Sequence, residues 1–126
     1  MPKQKIALPE QLPPPRGAYS AALRCGDFVY VAGQSARDAG LNVMGASIEE
    51  QTRRTLENIA GILDAAGASL ADVVKSTVHL SDLNNFKRYD AVYAEMVPEP
   101  HPVRTTVGSV LAPGVLVEID VVAFVG

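Results

Sequence analysis

The segment Val115–Val125 constrains the fold more than any other, because it alternates without a break. Val115, Val117, Ile119, Val121, Ala123 and Val125 fall on one face at period two. Leu116, Glu118, Asp120, Val122 and Phe124 fall on the other. The first set predicts a strand lying on a hydrophobic core. The second sets two carboxylates between large apolar residues, which suits neither a dry core nor a washed surface. Such a strand requires a sheet whose second face is only partly wet.

The remaining segments supply that sheet. Residues 1–16 carry Pro9, Pro13, Pro14 and Pro15 and predict an extended, proline-rich N-terminal arm without regular hydrogen bonding. Tyr19–Cys25 predicts a first strand, Gly26-Asp27 a turn and Phe28–Ala32 a second strand ended by Gly33. Ser47–Ala66 is the clearest helix. Ile48, Leu56, Ile59, Ile62, Leu63 and Ala66 share a face, Ser47 and Glu50 predict a reciprocal capping box, and Gly67 is placed to close the helix left-handed. Val73–Leu80 predicts a third strand. A second helix follows, opened by Ser81-Asp82-Leu83, striped by Phe86, Tyr89, Tyr93 and Met96 and stopped by Pro98. Pro98, Pro100 and Pro102 predict a stiff extended connector, Val103–Leu111 a fourth strand, and Val115–Val125 the fifth. The order is ββαβαββ, an α+β chain whose two helices cover one face of one sheet.

At 126 residues this is a single domain spanning 1–126. No apolar run is long enough for a transmembrane helix, and the opening residues lead into no apolar signal segment. One cysteine, Cys25, precludes an internal disulfide and fits a reducing cytoplasm. The net charge of −3 argues against a nucleic-acid partner. Arg53-Arg54 and Lys87-Arg88 read as solvated helix faces. With two helices for one sheet, the second face lacks cover from its own chain. Phe28 and Tyr30 oppose Val29 and Val31, so it is also apolar. A homo-oligomer with polar clefts between subunits is the economical solution.

Few residues offer chemistry. Arg104 stands where the proline connector enters a strand. A guanidinium there forks two donors onto a small carboxylate, or closes a structural ion pair with Glu118 or Asp120. Glu118, between Val117 and Ile119, orients or deprotonates a water, or serves in that ion pair. Asp120 reads as structural. Tyr19 walls a pocket or packs in an interface, and Gly33 permits close backbone approach or simply ends a strand. Thr106 shares the face of Arg104 and offers a hydroxyl to the same ligand. His79 and His101 lack the spacing of a metal site. Cys25 has no visible activating partner. No phosphate loop, dinucleotide fingerprint or nucleophile elbow is present.

The chain resembles the RidA/YjgF family of reactive-intermediate imine deaminases, also called endoribonuclease L-PSP. The likeness rests on Gly17-Ala18-Tyr19-Ser20, Val31-Ala32-Gly33-Gln34, the helix Gln51–Gly67, Val74–Leu83, Pro102-Val103-Arg104-Thr105 and Val117-Glu118-Ile119-Asp120, in that order. It implies a chorismate-mutase-like fold and a homotrimer with a barrel-like core and three clefts between subunits. It implies hydrolysis of 2-imino or enamine acids, such as 2-iminopropanoate and 2-iminobutanoate, to 2-keto acids and ammonia, with no cofactor and no metal. Arg104 would bind the substrate carboxylate, Glu118 would sit near the attacking water, and Tyr19 and Gly33 would shape the pocket across a subunit boundary. Three positions depart from the family pattern: Ala32 replaces a frequent serine, Thr106 a cysteine and Asp90 an asparagine. A non-catalytic small-carboxylate binder, a chaperone-like stress protein and an endoribonuclease are the competing readings.

Overall fold

The computed structural model describes residues 2–126, and Met1, the first residue of the arm, lies outside them. The strands are β1 (Gln4–Lys5), β2 (Ala22–Cys25), β3 (Phe28–Gln34), β4 (Val73–Leu80), β5 (Val103–Gly108) and β6 (Val117–Phe124). The helices are α1 (Ile48–Ala65) and α2 (Phe86–Met96). One six-stranded sheet runs β1-β2-β3-β6-β4-β5. Only β4 and β5 pair in parallel, α2 forming their crossover. The sheet is mixed, as the sequence predicts, and it does not close on itself.

Alternation decides which way each strand faces. Val117, Ile119, Val121 and Ala123 are buried with Val29, Val31, Val78 and Leu80 beneath Leu56, Ile59, Ile62, Leu63, Tyr89 and Tyr93 of the helices. Each fully buried aliphatic side chain there is worth about 1.5–3 kcal/mol. On the opposite face Phe28, Tyr30 and Phe124 stay exposed and stack on one another, with Phe28 and Phe124 centroids 5.2 Å apart. No described helix is long and apolar enough to cross a membrane.

Helix ends follow local chemistry. Ser47 accepts the Glu50 N–H at 3.1 Å. The reciprocal half of the predicted box is absent, because the Glu50 carboxylate takes the Ser47 hydroxyl instead. A carboxylate returns to its cap's backbone N–H at Asp72, which accepts from Ser69 at 2.9 Å. Gly67 turns left-handed at φ 78°, and the Arg24 guanidinium reaches the Ala66 carbonyl at the helix end. Asp82 caps a 3₁₀ turn, Leu83–Asn85, that leads into α2.

Several predictions need correction, among them the first strand, which begins at Ala22 rather than Tyr19. The arm is not wholly irregular: between Pro2 and Pro9 the chain is free of proline, and Gln4 and Lys5 pair with Arg24 and Leu23 on the sheet edge, giving six strands rather than five. The second strand does not end at Gly33; it continues to Gln34 through a bulge. The 98–102 connector bends at Glu99 and Pro100, joined by a cis peptide, and does not run straight. The fourth strand stops at Gly108 rather than Leu111, and the last starts at Val117 rather than Val115, where a helix side chain takes the polar groups of the approach. Gln51 donates to the Gly114 carbonyl at 2.8 Å and accepts the Leu116 N–H at 2.9 Å.

Candidate active site

Arg104 and Glu118 lie on opposite faces of the sheet. Arg104 pairs in register with the buried Ser76 and turns toward α2. Glu118 pairs with His79, and its buried neighbours Val117 and Ile119 turn it to the open face. Within one chain they share neither an ion pair nor a ligand. The two ion-pair partners offered by the sequence, Glu118 and Asp120, are therefore both wrong.

The partner of Arg104 is Asp90, with Nη1 2.8 Å from Oδ1. Three rings frame the guanidinium, their centroids 4.6 Å (Tyr93), 5.2 Å (Tyr89) and 5.6 Å (Phe86) from its carbon. Those rings are themselves fixed. The Tyr89 hydroxyl shares a 2.6 Å hydrogen bond with Thr106 Oγ1, and that of Tyr93 a 2.7 Å bond with Ser76 Oγ. Burial raises the pKa of both phenols against these bonds and the nearby Arg104 charge, so both remain neutral. Thr106 does share the face of Arg104, but its hydroxyl is bound to Tyr89. Arg104 opens into a concavity of about 360 Å³ lined also by Asp90, Tyr93, Ala94, His101 and Pro102.

A second concavity, on the open face, centres on Glu118. Its carboxylate lies directly over Gly33: a Cβ there would stand 2.7 Å from Oε2. Gly33 lies on this face because of the bulge. Val31 pairs with Val121 but Gln34 with Ile119, so β3 holds one extra residue. Tyr19, Gly33, Ser35, Arg37 and Glu118 line this concavity with the Pro13–Pro15 run. Tyr19 is half exposed, and its hydroxyl accepts the Arg16 N–H at 3.1 Å. Asp120 shares the open face. Burial pushes its carboxyl up, opposed by His79 and Lys75. His79 Nδ1 meets Ser109 Oγ at 2.8 Å. Among the described residues no group of three histidine, cysteine or acidic side chains is placed to hold a metal ion.

Two supporting residues escaped sequence reasoning. Asn58 donates to the Ser35 and Arg37 carbonyls at 3.2 and 2.8 Å, fixing the loop that walls the Glu118 concavity. Gln51, 1% exposed, fixes Gly45, Gly114 and Leu116. The available signal was amides on the buried stripe of an amphipathic helix, where each needs a built set of partners.

The match to the endoribonuclease L-PSP family model covers residues 9–125. The chain belongs to this family, the RidA/YjgF proteins. It is 43% identical to a RutC family protein of Pyrococcus abyssi, over 96% of this chain and 97% of that one. It is 39% identical to a protein named 3-aminoacrylate deaminase RutC of Acinetobacter baylyi, over 99% of this chain and all of that one. Among solved structures it resembles E. coli TdcF with bound serine, with TM-score 0.86 and 31% identity over 96% of this chain and 98% of that one. Relatives of this chain include proteins named as deaminases.

Proposed function

We propose that this RidA-type protein hydrolyses small 2-imino or enamine acids, such as 2-iminopropanoate and 2-iminobutanoate, to 2-keto acids and ammonia. The observation that supports the reading is a pair of complementary concavities on opposite faces of the sheet. A caged arginine opens on one side of the sheet, and a carboxylate, a tyrosine and a bare glycine open on the other. Each half lacks what the other has. In a homotrimer, the exposed Phe28, Tyr30 and Phe124 face would be covered by a neighbour. The Arg104 half of one protomer would then meet the Tyr19, Gly33 and Glu118 half of the next.

The chemistry requires little more. The iminium carbon is already electrophilic, so no covalent nucleophile is needed. Arg104 holds the substrate carboxylate and fixes C2 beside a water on Glu118, a gain of proximity. The water oxygen bonds to C2 as Glu118 takes its proton. That proton passes to the nitrogen, the C2–N bond breaks as Glu118 takes the remaining hydroxyl proton and C2=O forms, and the departing ammonia carries that proton off as ammonium. The backbone at Gly33 lets substrate and carboxylate approach closely. The bound serine of TdcF and the 3-aminoacrylate of RutC both carry a carboxylate that such an arginine would anchor. 3-Aminoacrylate, whose imine tautomer presents C3 rather than C2 to the water, is therefore a second candidate substrate of related chemistry.

The test generates 2-iminopropanoate with an amino-acid oxidase and follows its disappearance, with 3-aminoacrylate in parallel. Wild type accelerates hydrolysis, and Arg104→Ala loses about 100-fold or more, the scale of a lost substrate-positioning group. No acceleration of either substrate, or full activity in Arg104→Ala, overturns the reading. Binding of 2-keto acids without turnover of any imine would favour a non-catalytic carboxylate binder.

A further inference from the structure

The Arg104 concavity presents a neutral pair rather than a bare cation. Asp90 Oδ1 sits 2.8 Å from Nη1, and both residues line the same space. The pair is not sealed: 20% of the Arg104 side chain and 43% of that of Asp90 remain exposed. Nη1 to Oδ1 is the closest contact of the pair, and both side chains keep exposed surface that faces the concavity. An entering ligand therefore meets a donor set and an acceptor side by side.

A monoanion gains from Arg104 and is repelled by Asp90. A zwitterion with its cationic nitrogen on the carbon beside its carboxylate gains from both. We propose that Asp90 is a specificity-determining residue that makes the Arg104 site select zwitterions over monoanions. The inference rests on the reading of Arg104 as carboxylate anchor. For an imine deaminase it has a direct consequence. The protonated 2-imino acid is a zwitterion and the 2-keto acid product a monoanion, so Asp90 admits the one and expels the other. His101 also lines the concavity, and Glu99 lies 3.9 Å from His101 Nε2. Both stay unchanged in the comparison below.

Calorimetry at one fixed pH with L-2-aminobutyrate and 2-ketobutyrate tests this, because the two differ only at C2. The readout is the ratio of their dissociation constants in wild type, Asp90→Asn and Arg104→Ala. Asp90→Asn keeps size and an acceptor and removes the charge. It tightens 2-ketobutyrate by roughly ten-fold and weakens L-2-aminobutyrate several-fold, as expected on neutralising a charge in contact with the ligand site. If Asp90 only steadies Arg104, both ligands weaken together and the ratio stays put, which overturns the proposal. If Arg104→Ala abolishes binding of both while Asp90→Asn leaves the ratio unchanged, the proposal falls and the anchor stands. If wild type binds neither ligand, or Arg104→Ala binds both as wild type does, anchor and proposal fall together.

Discussion

The two faces of the sheet hold their polar groups in opposite ways. On the helix face every polar group of the Arg104 site is fixed by another: Asp90 on Arg104, Thr106 on Tyr89, Ser76 on Tyr93. On the open face Glu118 is held mainly by shape, lying over the one residue that has no side chain to displace it. One is bonded and charge-balanced, and the other is held by shape. In the proposed reaction the first anchors a carboxylate that does not react. The second handles a water that must give up a proton and return it.

The comparison breaks most severely at Gln51, the buried amide under the helix face. Gln51→Ala strips partners from Gly45, Gly114 and Leu116 together. Loss of about 2–4 kcal/mol of stability is expected in denaturant unfolding. A loss under about 0.5 kcal/mol would mean that water replaces the amide at no cost. On the open face, Gly33→Ala would place its methyl 2.7 Å from Glu118 Oε2. The far end of a flexible side chain can shift, so Tm should hold while imine hydrolysis falls by roughly ten-fold through misplacement of the carboxylate. A matching fall in Tm would show instead that the position serves packing.

The smallest effect belongs to Asp120. Burial raises its folded-state pKa above the unfolded value. Its ionised form therefore costs stability at neutral pH, and the cost is relieved as pH falls through the folded value. Asp120→Asn should raise Tm at pH 7 by on the order of one degree. The advantage over wild type should shrink on acidification. An advantage that grew on acidification would reverse the sign assigned here.

How much of this was legible in the sequence depended on whether the cause was local. Alternation over Val117–Phe124 fixes both faces of β6 without knowledge of any partner. Ser47 and Gly67 mark the ends of α1 by their own cap chemistry. The β3 bulge is different: one extra residue shows only against the register of β6. So is the two-residue β1, too short to carry a period. The Asp90–Arg104 pair was the largest omission. It joins a helix to a strand through the crossover between parallel β4 and β5, and no spacing rule reaches that far. For the same reason Arg104 could be assigned a role in the sequence but not its place beneath α2, whereas alternation alone put Glu118 on the face away from the core.

The division of the site between subunits is the central claim, and co-assembly tests it directly. Arg104→Ala and Glu118→Ala are each purified, found inactive in the imine assay, then unfolded together and reassembled as a mixture. If each site takes its arginine from one protomer and its glutamate from the next, random mixing restores about a quarter of the wild-type sites. Recovery of activity near that level is the predicted result. A mixture that assembles as wild type does yet stays inactive would contradict a site shared between chains.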